Sequence, residues 1–352
     1  MSIYGTAIAA EILMHFGIIS KTFKIILMGK LGIAFLSTQE SFMDHLQQKL
    51  QDYTLGKIDK ENYIISNYDE HHSHLFEYSD YLLHTNISKI TIEDNGVVFT
   101  FRDSGIMMMC PPGDHRVAPI ETLNFLDYEK DESWMIERLV NNGDTIFDIG
   151  ANMGYYSVLL AKKNIDASVH CFEPIPTTFG LCQKNISLNE LANINCNNFG
   201  LSDKDGYFPF YFYPEGSGNA SAVNVSGRSE VEEISCRLKT LDGYVDEKNV
   251  NIDFIKCDVE GAELFAFIGG SKTIGRDKPI VFAEILRKYC LKYNYDHNDI
   301  FQWFYDLGYR AFTVHDKKLL PFHLMDQDTI QTNFFFLHTA KHDSIISALE
   351  LV

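Results

Sequence analysis

The sequence predicts an α/β protein built on a doubly wound, mostly parallel sheet. From residue 121 onward, short apolar segments alternate with segments of helical periodicity. A strand is expected just before residue 150, and others at 168–173, 194–198, 253–257, 279–285 and 310–315. This alternation is typical of a parallel sheet with helices on both faces. Ligands of such sheets bind beyond the carboxyl ends of the strands, so site residues are expected there.

The most informative stretch spans residues 142–157. Its apolar run Thr145–Ile149 ends in a glycine-bearing turn, and helical spacing follows, which predicts a strand, a tight turn and a helix. Gly150 and Gly154 allow a ligand to lie against the main chain, and the helix N-terminus would attract its negative end. The spacing D-x-G-x-x-x-G lacks the three glycines of the dinucleotide fingerprint. A nucleoside without a pyrophosphate is therefore predicted, and a nicotinamide dehydrogenase is disfavoured.

The composition is that of a globular protein, with 45% hydrophobic and 22% charged residues. Asp and Glu total 48 against 30 Lys and Arg, a formal net charge of −18 without a basic run, so nucleic acid is not an expected partner. The seven cysteines are scattered without C-x-x-C spacing. They are interpreted as reduced core thiols of a cytoplasmic protein.

Residues 1–100 are predicted to form an accessory region, helical and then a β-hairpin around 94–96, and residues 101–352 the main domain. Charges interrupt the apolar start of the chain, so no transmembrane segment is expected. Amphipathic helices there would pack on the core or on a second subunit, giving a homo-oligomer. Association with a membrane surface is the alternative.

The alternation is interrupted between Leu201 and Leu238. Alternating aromatic residues predict a strand at 206–213, and small residues at 214–221 predict a loop before an extended segment from 231. This loop is expected to act as a lid or an acceptor-recognition flap, with a plain surface hairpin as the alternative.

Acidic residues stand at the ends of four predicted strands. Asp148 ends the first, Glu173 the second, Asp258 the fourth and Glu284 the fifth. Charges at the ends of apolar strands are costly without partners, so a shared cleft is expected. Glu173 could accept both hydroxyls of a ribose, or it could be a carboxylate at a helix N-terminus.

The second strong signal is the segment from Phe254 to Glu263, in which a buried strand passes into a turn with two carboxylates. Asp258 and Glu260 could bind a divalent cation or remove a proton from a substrate hydroxyl. Capping of the following helix by Glu260 or Glu263 is the alternative.

At these residues the sequence resembles the FkbM family of S-adenosylmethionine-dependent methyltransferases. The resemblance rests on residues 147–157, on 172–174 with Asn185 downstream, on 241–244 and on 255–263, and it covers roughly 120 to 315. It implies a class I methyltransferase (Rossmann-like) sheet of seven strands, the last antiparallel. It also implies S-adenosyl-L-methionine as the cofactor and O-methylation, commonly of a sugar or natural-product hydroxyl.

The resemblance implies cofactor contacts at the first three strand ends. The loop from Gly150 to Gly154 is expected to face the methionine part, Glu173 the ribose, and the segment from Gly200 to Asp203 the adenine. The full expected set is Asp148, Gly150, Ala151, Asn152, Gly154, Tyr155, Glu173, Pro174, Gly200, Leu201, Ser202 and Asp258.

For the chemistry, Asp258 is the expected base or metal ligand, with Glu260 and Glu284 in support and His315 as a second base candidate. Asp258 and Glu284 would be the ligands of a divalent cation such as Mg²⁺. The predicted function is O-methylation of a sugar, glycan or related small metabolite. A non-catalytic, nucleoside-binding scaffold is the alternative, because a fold does not fix a function.

Overall fold

A computed structural model describes residues 44–94, 96–212 and 232–351. Contacts along the chain divide it after Tyr78, and the predicted hairpin falls in the larger unit. The helices expected within residues 1–43, the loop at 214–221 and Asn95 of the predicted turn lie outside the described residues. The division of the chain at residue 100 stays a prediction.

The first described segment is helical, as predicted for the accessory region. Helix α1 spans Asp44–Thr54 and α2 spans Lys60–Asn67, and a π-helical turn at Tyr68–His72 leads into α3, Ser73–Tyr81. Helix α2 begins at Asp59 because that side chain accepts the Asn62 backbone N–H at 2.8 Å. No helix in the described ranges is long and apolar enough to cross a membrane.

The larger unit begins with a three-stranded antiparallel sheet. Strands β1 (Ile87–Glu93) and β2 (Gly96–Phe101) form the predicted hairpin, and β3 (Met107–Cys110) adds to β2. Two helices follow, α4 (Ala118–Phe125) and α5 (Lys130–Leu139), and α5 delivers the chain to the main sheet.

Among the remaining described residues strands and helices alternate, except that strands follow one another directly at 194–239 and 309–338 and helices do so at 263–277 and 287–306. The strands are β4 Thr145–Ile149, β5 Ser168–Phe172, β6 Ile194–Asn197, β7 Gly200–Leu201, β8 Gly206–Phe212, β9 Glu232–Lys239, β10 Phe254–Cys257, β11 Ile280–Glu284, β12 Tyr309–His315, β13 Lys318–Phe322 and β14 Asn333–His338. The helices are α6 Tyr155–Lys163, α7 Pro176–Leu188, α8 Leu241–Lys248, α9 Glu263–Ile268, α10 Ser271–Asp277, α11 Arg287–Cys290, α12 Asn298–Asp306 and α13 Asp343–Leu349.

The main sheet has the order β13-β12-β14-β11-β10-β4-β5-β6. Strands β6, β5, β4, β10 and β11 are parallel, and β14 runs antiparallel to both of its neighbours. The predicted doubly wound sheet with an antiparallel last strand is thus confirmed. The structure adds an eighth strand to the seven predicted, because the chain turns back after His315 and β13 pairs with β12.

Side chains of the main sheet alternate between two hydrophobic layers. On β5, Val169 and Cys171 enter one layer with α6 and α7, whereas Phe172 enters the other with Phe147 and Tyr244. Both layers are fully buried, so the ends of the strands are left as the polar region of the sheet. Beside this sheet, β7, β9 and β8 form a small three-stranded sheet in that order.

Two asparagines of the α7 segment bind the outer side of β3. Asn189 Oδ1 accepts the Met107 N–H at 2.9 Å, and its Nδ2 donates to the Met107 carbonyl at 2.7 Å. Asn185 Oδ1 accepts the Met109 N–H at 2.8 Å, and its Nδ2 donates to the Met153 carbonyl at 2.9 Å. The β1–β3 sheet is therefore tied to the turn after β4.

Candidate active site

One large cavity, of about 700 Å³, lies at the carboxyl ends of β4, β5, β10 and β11. That volume falls within the usual range for small-molecule sites. Three groups of residues line it: backbone and polar residues after β4, β5 and β7, acids after β10 and β11, and apolar side chains of β7–β9. The lining includes Glu129, Gly150, Asn152, Glu173, Pro174, Gly200, Leu201, Ser202, Phe208, Phe210, Asp258, Glu260, Glu284 and Lys288.

The turn after β4 requires glycine at position 150. Its φ is +75°, and a Cβ added there would lie 1.8 Å from the Asp258 carbonyl oxygen. The N–H groups of Gly150 and Ala151 both donate to the Phe172 carbonyl, at 3.1 and 3.0 Å, and the Asp258 N–H donates to the Ile149 carbonyl at 3.0 Å. The main chains at the carboxyl ends of β4 and β10 are therefore in direct contact.

Glu173 is held rigidly at the edge of the cavity. Its Oε2 accepts the Asn152 N–H at 3.0 Å and its Oε1 accepts the Ile175 N–H at 2.9 Å, and the residue is 6% exposed. Burial raises its pKa to about 7, against the lowering effect of these two hydrogen bonds. The bond to Ile175, the residue before α7, places this carboxylate at a helix N-terminus, as the alternative expected, and the ribose contact stays a prediction.

The structure places a buried lysine between the two acidic strand ends, a role that the sequence reasoning missed. Lys256 Nζ donates to the Gly150 carbonyl at 2.7 Å and pairs with Asp148 Oδ1 at 3.4 Å and Asp258 Oδ2 at 3.5 Å. Burial alone would lower the pKa of Lys256, but the two carboxylates raise it above its usual range. The sequence does contain a signal for this role, because a lysine lies inside the apolar strand Phe254–Cys257. A buried charge requires polar or charged partners, so acids near this lysine could have been expected.

The acids after β10 and β11 converge on the same side of the cavity. Burial, followed by the negative charges of Asp258 and Glu260, raises the pKa of Glu284 to about 10. Burial, Asp258 and Glu263 likewise raise the pKa of Glu260 well above its usual range. Asp258 is partly accessible, with 36% of its side chain exposed. Near neutral pH this side of the cavity combines a protonated Glu284 with the ion pair of Lys256 and Asp258.

Two further acids have raised pKa values, and the sequence predicted neither of them as a site residue. Glu129, before α5, lines the cavity and accepts a hydrogen bond from the Tyr156 hydroxyl, and burial raises its pKa to about 7. Glu263 was expected only as a possible cap of the following helix, whereas its Oε1 accepts the N–H groups of Val259 and Gly261 in the turn before α9, both at 3.1 Å. Burial raises the pKa of Glu263 to about 7 despite these bonds.

Several predicted cofactor residues support the cavity from behind and do not line it. Asp148 is 1% exposed and accepts a hydrogen bond from Ser157 Oγ at 2.5 Å, besides pairing with Lys256. Ala151 and Tyr155 are buried, and Gly154 packs over Cys182. The turn places these residues in the core beneath the cavity, and their contacts with the cofactor stay a prediction.

His315 does not join the predicted acids. It ends β12, which is separated from β11 by β14, and its side chain is 65% exposed beside Asp316. It is absent from the cavity lining, which holds Asp258, Glu260 and Glu284. The prediction that His315 serves as a base is corrected by this position, since a base must reach the acceptor proton.

The donor set does not favour the predicted Mg²⁺ site. Within the described ranges, Asp258 and Glu284 belong to no group of three or more potential ligand atoms at mutual metal-binding distance. Mg²⁺ requires near-octahedral oxygen coordination, whereas Asp258 already faces the Lys256 ammonium. These residues do not fit a dedicated cation site, and no step is assigned to one.

The strand order, the antiparallel β14 and the cavity at the strand ends together define a class I methyltransferase fold. Residues 148–311 match the model of the methyltransferase FkbM domain, and they contain the Gly150 turn, Glu173 and the Asp258 segment. Through this segment the chain is similar to the FkbM family of methyltransferases.

Two curated relatives are methyltransferases by name. The chain is 30% identical to "Methyltransferase sdnD" of Sordaria araneosa over 34% of this chain and 57% of that protein. It is 32% identical to "31-O-demethyl-FK506 methyltransferase FkbM" of Streptomyces tacrolimicus, over 21% of this chain and 28% of that protein. A solved structure, methyltransferase FkbM from Methylobacillus flagellatus, superposes with a TM-score of 0.37 at 16% identity, covering 56% of this chain and 44% of that one. The chain thus matches less than two thirds of the length of each.

Proposed function

We propose that this methyltransferase uses S-adenosylmethionine to methylate a hydroxyl group of a sugar, a glycan or a related small metabolite. One observation carries the proposal: a single cavity joins Glu173, at the end of β5, to Asp258 and Glu284, at the ends of β10 and β11. A nucleoside cofactor and an acceptor would therefore meet in one enclosed space.

The first half of the cavity fits the cofactor. Glu173 keeps free lone pairs on both carboxylate oxygens after binding Asn152 and Ile175, so it can accept two ribose hydroxyls. Leu201 and Phe210 offer apolar surface for a flat base, and Gly150 lets the ligand approach the main chain. When bound, S-adenosylmethionine supplies an electrophilic methyl group on a sulfonium, and transfer depends mainly on alignment.

The second half fits a hydroxylated acceptor. Asp258 lies within the cavity with part of its side chain accessible, and the Lys256 ammonium holds it in position. We assign Asp258 as the group that accepts the acceptor proton, with the protonated Glu284 as a hydrogen-bond donor beside it and Glu260 as a second neighbour. The name of the Streptomyces tacrolimicus relative, which specifies a 31-O-demethyl compound, supports oxygen as the acceptor atom.

The test is calorimetric titration with S-adenosylmethionine and S-adenosylhomocysteine, followed by incubation with a methyl-labelled cofactor and a panel of sugars, glycans and hydroxylated metabolites. Binding of both nucleosides with labelled product from a hydroxylated acceptor is the expected result. Absence of binding would overturn the proposal. Binding without transfer to any acceptor would favour the nucleoside-binding scaffold. Parallel assays with EDTA and with Mg²⁺ are expected to give equal rates, because the acids do not form a cation site.

A further inference from the structure

Three cysteines that are far apart in the sequence meet in the layer between the main sheet and α7. Cys171 on β5 and Cys196 on β6 are register partners, and Cys182 reaches them from α7. All three Sγ atoms lie within 4.8 Å of one another, and those of Cys182 and Cys196 are 3.7 Å apart. These three free thiols are therefore clustered in space, although the seven cysteines are scattered along the sequence.

The separations suit a metal ion held by thiolates. Sulfur atoms arranged tetrahedrally around Zn²⁺, at about 2.3 Å from the metal, lie about 3.8 Å from each other. The pair Cys182 and Cys196 already stands at that separation, and the other two distances would need to shorten by no more than about 1 Å. No disulfide links the three cysteines, so each sulfur is available as a ligand.

The surroundings identify the class of ion. Among the described residues, the cluster includes no histidine or carboxylate, so sulfur supplies all the protein ligands. Thiolates select soft d¹⁰ ions such as Zn²⁺ and Cu⁺ over Mg²⁺ or Ca²⁺. Cys171 and Cys182 are fully buried, whereas Cys196 is half-buried on β6, the terminal strand of the sheet, which gives an ion a way in.

The cluster lies directly under the turn after β4. A Cβ added to Gly154 would lie 2.8 Å from Cys182 Sγ. Cys171 precedes Phe172, whose carbonyl accepts the N–H groups of Gly150 and Ala151. An ion bound by the three sulfurs would join β5, β6 and α7 beneath this turn.

We infer that Cys171, Cys182 and Cys196 form a structural site for one soft d¹⁰ metal ion, Zn²⁺ or Cu⁺, that braces the turn after β4. Binding forms three metal–sulfur bonds, and the three thiol protons are released to solvent, with no change of oxidation state. The fourth position of Zn²⁺ would be open to water, whereas Cu⁺ needs only three thiolates. The site lies outside the cavity and does not depend on the proposed function.

The test uses the full chain, reduced with a phosphine and handled without oxygen. Titration with Cd²⁺, followed by the ultraviolet sulfur-to-metal absorption, counts the thiolates bound. Elemental analysis after separate loading with Zn²⁺ and Cu⁺, and removal of excess ion, gives the stoichiometry. One ion per chain and a metal-dependent rise in the melting temperature are expected. Of the two loaded samples, the one that keeps its ion in the presence of a competing chelator identifies the native metal.

Cys196→Ser is the decisive variant because it changes a half-buried residue and should fold, and Cys182→Ala is the second. Each variant removes one of three ligands, so we expect the affinity for the metal to fall by about tenfold or more. Both variants should therefore lose the absorption band and, on the order of that affinity loss, about 80% or more of the bound metal. Cys110→Ser is the matched control, since Cys110 is half-buried on the edge strand β3 and lies outside the cluster. It should bind metal like the unaltered chain.

Equal metal binding by Cys196→Ser and the unaltered chain would overturn the inference, as would equal loss in Cys110→Ser. A mass about 2 Da lower for the freshly isolated, unreduced chain, with Cys182 linked to Cys196 in peptide maps, would show a disulfide in place of a metal site and would also overturn it.

Discussion

The Asp258 carbonyl oxygen occupies the space that a side chain at Gly150 would need, 1.8 Å from the ideal Cβ position. Gly150→Ala must therefore separate β4 from β10 or abandon its left-handed backbone conformation. We expect a loss of about 3 kcal/mol or more in the free energy of unfolding, beyond ordinary overpacking, and loss of cofactor binding. Urea denaturation and calorimetry would measure both.

Gly180→Ala is the control for that variant. Nothing lies within 4 Å of its Cβ position, and the residue is inside α7, so alanine should raise stability by up to about 1 kcal/mol. Equal behaviour of the two variants would contradict the tight packing of the Gly150 turn.

Cofactor affinity should depend on pH through Glu173. The pKa of this carboxyl is about 7, so it is mostly protonated at pH 6 and mostly ionised at pH 8. Since the ionised form accepts ribose hydroxyls, the dissociation constant for S-adenosylmethionine should fall about tenfold over that range. Glu173→Gln should bind weakly at both pH values, whereas Glu263→Gln, outside the cavity lining, should keep the pH dependence. A flat profile for the unaltered protein would contradict the role of Glu173.

Lys256 should contribute strongly to stability because it neutralises a fully buried acid. Lys256→Met leaves Asp148, which is 1% exposed, without its cation. We expect a loss of about 3–5 kcal/mol in the free energy of unfolding, and partial recovery when Asp148→Asn is added. Lys130→Met, at a pair whose lysine is 76% exposed, should cost under about 1 kcal/mol. No recovery in the double variant would argue against this pairing.

Asp258→Asn tests the assigned base. Turnover should fall by about 10²–10⁴, while the cofactor dissociation constant stays within a factor of a few, because proton removal and not cofactor binding is impaired. Single-turnover kinetics with a labelled cofactor would separate the two. If Asp258→Asn turned over normally and Glu129→Gln did not, the base would be Glu129, whose pKa of about 7 also suits that role.

Stability should decrease as the pH rises through the acidic range. The pKa of Glu263 is about 7 in the folded chain and 4.5 for the unperturbed group, so the native state retains a proton that the unfolded chain loses. The free energy of unfolding contributed by this residue should therefore fall by about 3 kcal/mol between about pH 4.5 and 7, and then level off. Chemical denaturation at pH 5, 6 and 8 should show a smaller fall for Glu263→Gln, but an unaltered fall for the exposed Glu233→Gln.

The fold and half of the cavity could be predicted because their signals are local. The alternation that defines β4, the Gly150 turn and the position of Glu173 at a strand end are all contained in short windows of sequence. The grouping of His315 with the acids is wrong because strand ends alone do not reveal the strand order, which places β14 between β11 and β12.

Other features depend on contacts between distant residues. Glu129 meets Tyr156 only after α5 and α6 pack, and Cys171, Cys182 and Cys196 meet only when β5, β6 and α7 are in register. Neither of these two contacts corresponds to a fixed spacing in the sequence, so neither could be predicted from it. A special role for Lys256 could have been predicted, because a charged residue is unexpected in an apolar strand. Its partners, Asp148 and Asp258, could not have been predicted from the sequence.

The asparagine contacts with β3 have a consequence for solubility. A strand at the edge of a sheet presents free N–H and C=O groups on which another chain can add, which leads to aggregation. Asn189 binds both backbone groups of Met107, and Asn185 binds both of Met109, with 3.4 Å for its bond to the Met109 carbonyl. These two amide side chains imitate a neighbouring strand, and a further strand cannot add there without displacing them.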